Sequence, residues 1–431
     1  MTPLDPRPAP AASAHPTGRK RVGRRPMLLA ALIGTAGLAA CGKGPSGPTT
    51  AAPEQSPSGT PSPAQTTSEP TPTPTAAPSG TAAPDDPLAG WSLEEKVGQL
   101  LMVGVDAASP SQAAKDAVTT HHAGNIFLSG RSSASATAIS RTVSALTGLT
   151  ESSTRGTPML VATDQEGGNV QVLSGPGFSS IPSGSEQARQ PREQLVASAT
   201  AWGRELASAG VTMNLAPVAD LVDIASPASN APIGQWHREY GHDAATVSSQ
   251  ARAFAEGMRA AGVIPTFKHF PGLGRVKENT DTASGVTDSV TTRGGDPAVE
   301  VFGDAIAGGA EVIMVSSAYY SRIDAGAPAV FSSTIVTDML RTEMGFTGVV
   351  ITDDVSAAVQ VRDWGVGERA VRAVRAGCDL VLASADASVA GAMATALVSA
   401  ARSDPALAAR IDESARRILA LKGVKGATAD R

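Results

Sequence analysis

Eight short β-rich runs, separated by Ala-rich helical stretches, occupy residues 86 to 425 and leave this chain few architectures. They are LLMVGV (Leu100–Val105), GNIFLS (Gly124–Ser129), PMLVATD (Pro158–Asp164) and VTMNLAPVAD (Val211–Asp220), then IPTFKHF (Ile264–Phe270), EVIMVSSA (Glu311–Ala318), GVVITDD (Gly348–Asp354) and CDLVLAS (Cys378–Ser384). Intervening stretches such as LVASATAWGRELASAG and AATVSSQARAFAEGMRAAG end in Gly, as crossover helices do. Strands alternating with helices imply a parallel sheet. Eight such units close naturally into a (β/α)8 barrel of the TIM type, an α/β fold. An open doubly wound sheet would need a phosphate-binding G-x-G-x-x-G after the first strand, and none stands there. The folded part begins at SLEEKVGQLL, where Ser92 and Glu95 have capping-box spacing.

The ends of the chain read differently. Residues 1–40 carry a basic segment (Arg19, Lys20, Arg21, Arg24, Arg25) and the apolar run MLLAALIGTAGLAA, too short to span a bilayer. That run meets LAAC, Leu38–Cys41, the pattern of a lipoprotein signal sequence, in which cleavage leaves Cys41 as the lipid-bearing N-terminus. Residues 42–85 hold 11 prolines among Ser, Thr, Ala and Gly. With so little apolar surface to bury they are expected to stay disordered, and 41–85 reads as a lipidated cysteine and tether. Residues 426–431 form a short tail. The expected location is the extracytoplasmic face of the cell membrane, with a lipid anchor.

The formal charge is −5. Residues 1–40 contribute six Lys/Arg and one Asp, so the remainder is near −5 − 5 = −10. A nucleic-acid partner is disfavoured, because phosphate binding needs a basic footprint. Only two cysteines occur; with Cys41 assigned to lipid, Cys378 is unpaired, and its apolar strand context suits a buried thiol. The six histidines show no H-x-x-H or H-E-x-x-H, which argues against a zinc site, and G-x-S-x-G is absent. No metal or cofactor is expected, and the chain is read as a monomer.

A barrel of this kind carries its chemistry at the C-terminal ends of the strands. Polar clusters fall there: TDQEGG after the third run, APVAD in the fourth, KHFPG after the fifth, TDD after the seventh. Asp353 and Asp354 follow an apolar strand, where a carboxylate costs stability unless it is bonded or used. Asp354 suits an N-cap opening the next helix; Asp353 is read as functional. Asp164 and Glu166 suit either substrate binding or turn chemistry. Lys268 and His269 are consecutive, so a bulge or bend must bring both to one ligand.

At these residues the chain resembles glycoside hydrolase family 3, in its single-domain β-N-acetylhexosaminidase type. DQEGGNVQ, NLAPVADL, IGQWHREYGHD, KHFPG and LRTEMGFTGVVITDDVS resemble motifs of that family, in its order, and the likeness runs from Leu93 to Lys422. The resemblance implies that Asp353 is the nucleophile of a retaining exo-β-glycosidase and that Asp164, Arg238, Lys268 and His269 hold the terminal sugar. The family pattern K-H-F-P-G-H-G, followed by an Asp-x-His acid/base dyad, is broken here. Leu273 takes the sixth position, and Asn279 and Asp281 take the dyad positions. Asn169 and Val172 stand where arginines are common, and Ser317 where a histidine is usual. Asp281 is therefore expected to be the acid/base, carried by a mobile loop and oriented by Asn279, Thr280 or Thr282; Asp288 is the other carboxylate to consider. The expected activity is on cell-wall or related amino-sugar glycans through a glycosyl-Asp intermediate. A β-glucosidase-like specificity and a non-catalytic glycan-binding lipoprotein remain the alternatives.

Overall fold

A computed structural model describes residues 86–427. The signal sequence, Cys41 and the tether lie outside the described residues.

Eight parallel strands form the core sheet. They are β1 (Leu101–Asp106), β2 (Asn125–Ser129), β3 (Leu160–Thr163), β4 (Met213–Asn214), β5 (Ile264–Phe270), β6 (Val312–Val315), β7 (Val349–Thr352) and β8 (Val381–Ala383). The order around the sheet is β7-β6-β5-β4-β3-β2-β1-β8, and a parallel bridge from Ile351 to Leu380 joins β7 to the β8 side. The expected barrel is thus observed, with every strand inside its expected run except β1, which extends one residue further, to Asp106. The β4 ladder is shorter than its run, because Pro217 has no N–H to donate and the pairing resumes only at Val218 with Lys268.

Helices cover the outside, and their starts follow from sequence. Ser92 and Glu95 make the expected capping box at the helix Leu93–Gln99. Ser111, Ser135, Asp243 and Asp296 each cap a helix by accepting a backbone N–H. Strands buried on both faces pack Val, Ile, Leu and Met against these helices, leaving little alternation in the strand sequences.

Arg341, on the π-helix Thr334–Glu343, points to the N-terminal end of the barrel. It pairs there with the fully buried Asp379, which also accepts from Arg410 (2.6 Å), Ser414 (3.0 Å) and the Val350 N–H (2.9 Å). Burial alone would push the Asp379 carboxyl up, but the surrounding guanidiniums bring it down to about 2. This end of the barrel is structural. Cys378 beside it is free and buried, its thiol pushed up to about 12 by burial and by Asp379.

Candidate active site

The opposite end holds a cavity of about 410 Å³. Its wall divides by strand parity. Phe127 of β2, Leu215 just after β4, Met314 of β6 and Leu382 of β8 supply apolar groups. Asp164 after β3, Lys268 and His269 of β5, and Asp353 after β7 supply polar ones. Inward side chains of a closed barrel come in layers from alternate strands, so one layer is apolar and the other reactive. Arg238 and Asp281 join from loops. All six residues expected at a site in this domain therefore line one cavity.

Lys268 and His269 both reach it because the β5 register against β6 shifts between Phe267 and Phe270; the Lys268–His269 peptide is cis. The Lys268 ammonium lies 2.7 Å from Asp164 and 2.6 Å from Glu166. Arg238 forks onto Glu166 with bonds of 2.8 and 2.7 Å and donates to the Pro232 carbonyl at 2.7 Å. Glu166 is the hub of this cluster. Burial alone would push its carboxyl up, but Arg238 and Lys268 outweigh that and hold it at about 2. The sequence left Glu166 between binding and turn chemistry; here it organises the two cations.

His269 Nδ1 lies 2.7 Å from an Asp220 carboxylate oxygen. Asp220, fully buried, was legible only as part of the APVAD cluster and had no role of its own. Asp354 is fully engaged: one oxygen accepts from Ser356 and from the Ser384 hydroxyl and N–H, the other from Ala357 and Ala358 N–H. It does not cap the next α-helix, Val366–Ala376, whose N-cap is Gly365; it closes the turn after β7 instead and ties it to the loop after β8. Among the described residues Asp353 accepts only from the Asp354 N–H, at 2.8 Å, which leaves most of its carboxylate free for the cavity. Burial pushes Asp353 up from the ordinary carboxyl value, with the nearby His269 ring opposing.

Asp281 sits at the rim. Desolvation, then the charges of Asp353 and Asp354, push its carboxyl up to about 6. The residue as a whole is exposed, so water weakens both the desolvation and the repulsion, but both act in the same, upward direction. Its loop is held by several contacts: Arg275, near its start, is forked onto Asp223 and paired with Asp296; Asn230 holds the Leu273 and Val276 carbonyls; Val359 and Gln360 N–H groups hold the Asp281 and Thr280 carbonyls. One expectation is corrected: Asn279, Thr280 and Thr282 do not orient the carboxylate. Asn279 instead accepts the Asp281 N–H at 2.9 Å and shapes the turn. Leu273 adds an apolar patch to the cavity wall. Asp288 lies outside that wall, buried, with both oxygens used by Val290 and Thr291.

His121 and His122 line a separate cavity of about 450 Å³ with Glu94 and Arg402. Among the described residues no group of three or more His, Cys, Asp or Glu is arranged to hold a metal.

Comparison with known proteins agrees with this geometry. Residues 92–421 match the glycosyl hydrolase family 3 N-terminal domain. A crystal structure of a β-N-acetylhexosaminidase from Beutenbergia cavernae superposes with a TM-score of 0.76 at 55% identity, covering 77% of this chain and 99% of that one. The β-hexosaminidase LpqI of Mycobacterium tuberculosis is 32% identical over 339 residues, 77% of this chain and 83% of that protein. An uncharacterised secreted glycosyl hydrolase of Arthroderma benhamiae is 36% identical over 281 residues, 62% of this chain and 75% of that protein. With strand-end carboxylates in one barrel-mouth cavity, a Lys–Glu–Arg cluster at its wall, and a family match across nearly all of the described barrel, the chain belongs to glycosyl hydrolase family 3.

Proposed function

We propose that this glycoside hydrolase is an exo-acting, retaining β-N-acetylhexosaminidase that works on cell-wall or related amino-sugar glycans. The observation that carries the reading is a single cavity lined by two carboxylates in different environments, Asp353 and Asp281, beside the Lys268–Asp164 pair, Arg238 and His269. The relatives named β-hexosaminidase support the sugar class. A cavity of about 410 Å³ over an apolar floor suits one terminal sugar, hence exo action.

In this account Asp353 attacks the anomeric carbon, and its free carboxylate oxygen becomes the ester oxygen of a glycosyl-Asp intermediate. Asp281, pushed up to about 6, gives its proton to the departing glycosidic oxygen. Once Asp353 is esterified its negative charge is gone. One of the repulsions raising Asp281 is then removed, so the same carboxyl becomes more acidic and stays ionised as a base. It takes a proton from water, which attacks the anomeric carbon and releases Asp353. Lys268, Asp164, Arg238 and His269 hold sugar hydroxyls. Lipid attachment at Cys41 and the 41–85 tether would hold the domain outside the membrane within reach of the wall, in keeping with the secreted relative.

A screen of aryl β-glycosides tests the reading. The β-N-acetylglucosaminide should be turned over in preference to the β-glucoside, and Asp353→Asn should lose roughly a thousandfold, on the order of 4 kcal/mol of transition-state stabilisation. Preference for the β-glucoside would overturn the sugar class. A fully active Asp353→Asn would overturn the mechanism.

A further inference from the structure

We propose that Asp220 is a positioning residue for His269: its carboxylate fixes the imidazole with the hydrogen on Nδ1 and turns the Nε2 edge toward the sugar. A buried carboxylate is costly unless its oxygens are hydrogen-bonded. Asp220 is fully buried, and its two oxygens divide their work. Oδ1 accepts the backbone N–H groups of His269 (3.0 Å) and Leu273 (2.6 Å); Oδ2 accepts the ring Nδ1 at 2.7 Å. Among the described residues no Lys or Arg pairs with it, and the imidazole is its one side-chain hydrogen-bond partner.

The backbone keeps the two residues in place. The Ala219 N–H donates to the Lys268 carbonyl (2.6 Å) and the Lys268 N–H to the Pro217 carbonyl (3.2 Å), so the strands are joined up to the point where the side chains meet. An ionised carboxylate only accepts, so Nδ1 must carry the hydrogen. His269 also lines the cavity, and with Nδ1 turned to Asp220 the Nε2 edge is what remains for a ligand. A neutral ring held this way presents an acceptor to a sugar O–H rather than a donor. A merely structural Asp220 would need only Oδ1, which pins the 269–273 turn. The Oδ2 bond is the part that speaks to recognition.

The test is long-range ¹H–¹⁵N correlation of the histidine rings in the full chain, with His269 assigned through His269→Gln. This spectroscopic arm needs no turnover, so it stands or falls apart from the glycosidase reading on which the word sugar rests. The wild type should show Nδ1 protonated and Nε2 free. Asp220→Asn can still take both backbone N–H groups on its amide oxygen, but its amide N–H faces Nδ1, so the hydrogen should move to Nε2. Asp220→Glu should keep the wild-type tautomer. The Asn variant should lose about 10- to 100-fold in kcat/KM on the β-N-acetylglucosaminide, mainly through KM. A wild-type ring protonated on Nε2 overturns the proposal, as does an Asn variant with unchanged tautomer and KM. If the Asn variant fails to fold, the wild-type and Asp220→Glu spectra decide it.

Discussion

Replacing Glu166 by Gln removes the anion that holds Arg238 and Lys268 at the cavity, and the size of the effect follows from the structure in two ways. The Glu166 carboxyl sits at about 2 in the folded chain against an ordinary 4.5. At about 1.4 kcal/mol per tenfold change, that difference amounts to about 3 kcal/mol of stability at neutral pH. Independently, breaking a buried ion pair by removing one partner costs about 3–5 kcal/mol. The remaining Lys268–Asp164 contact at 2.7 Å favours the lower figure. The sign is set by a folded value below the unfolded one. Stabilisation is complete above the ordinary 4.5 and is lost as pH falls from there toward about 2. Urea unfolding followed by circular dichroism, repeated from pH 7 down to pH 3, measures this. Glu166→Gln should be less stable by about 3 kcal/mol at pH 7, and the gap should close as pH falls. KM for the sugar should rise as the cations lose their alignment. A loss below about 1 kcal/mol, or one that does not vary with pH, would refute the claim that Glu166 is a buried, ionised hub.

Asp281→Ala should cripple hydrolysis of substrates with poor leaving groups while sparing the glycosylation step for activated aryl glycosides, and added azide should yield a β-glycosyl azide; wild-type rates on an unactivated disaccharide would move the proton donor elsewhere. Because an acid must be protonated to act, wild-type kcat/KM on that disaccharide should decline as pH rises through about 6, and this limb should move to lower pH in any active variant that neutralises Asp353. Cys41→Ala should release the mature protein from the membrane fraction without changing activity per molecule; unchanged retention would exclude lipid attachment at that residue.

The barrel was legible because its signal is local. Each strand is a short apolar run between helical segments, and parallel strands covered on both faces need no partner information to be recognised. Four of the pocket residues, Asp164, Lys268, His269 and Asp353, were legible for a related reason: their motifs fall at strand ends, where a barrel carries its chemistry, whereas Arg238 and Asp281, on loops, were legible through the family resemblance alone. What escaped is pairwise and distant in sequence. The bond from Asp220 to His269 spans 49 residues, and the fork from Arg238 to Glu166 spans 72. Neither partner's type betrays the other. The loop carrying Asp281 looked mobile because GRVKENTDTASG is small, polar and Gly-containing. Its anchors, Arg275 to Asp223 and Asp296 and Asn230 to two loop carbonyls, are visible only once the chain is folded. The same holds for Asn279, whose type suits a turn as well as a carboxylate partner, and which serves the turn.

Asp353 as nucleophile is the centre of the proposed mechanism, and covalent trapping addresses that role without intermediaries. A 2-fluoro β-glycoside with a good leaving group slows both steps but slows release more, so the glycosyl-enzyme should accumulate. Peptide mapping by mass spectrometry should then find one sugar mass on the peptide containing Asp353, and none in Asp353→Asn. Label on a peptide carrying another carboxylate, or inactivation with no covalent label at all, would contradict the assignment.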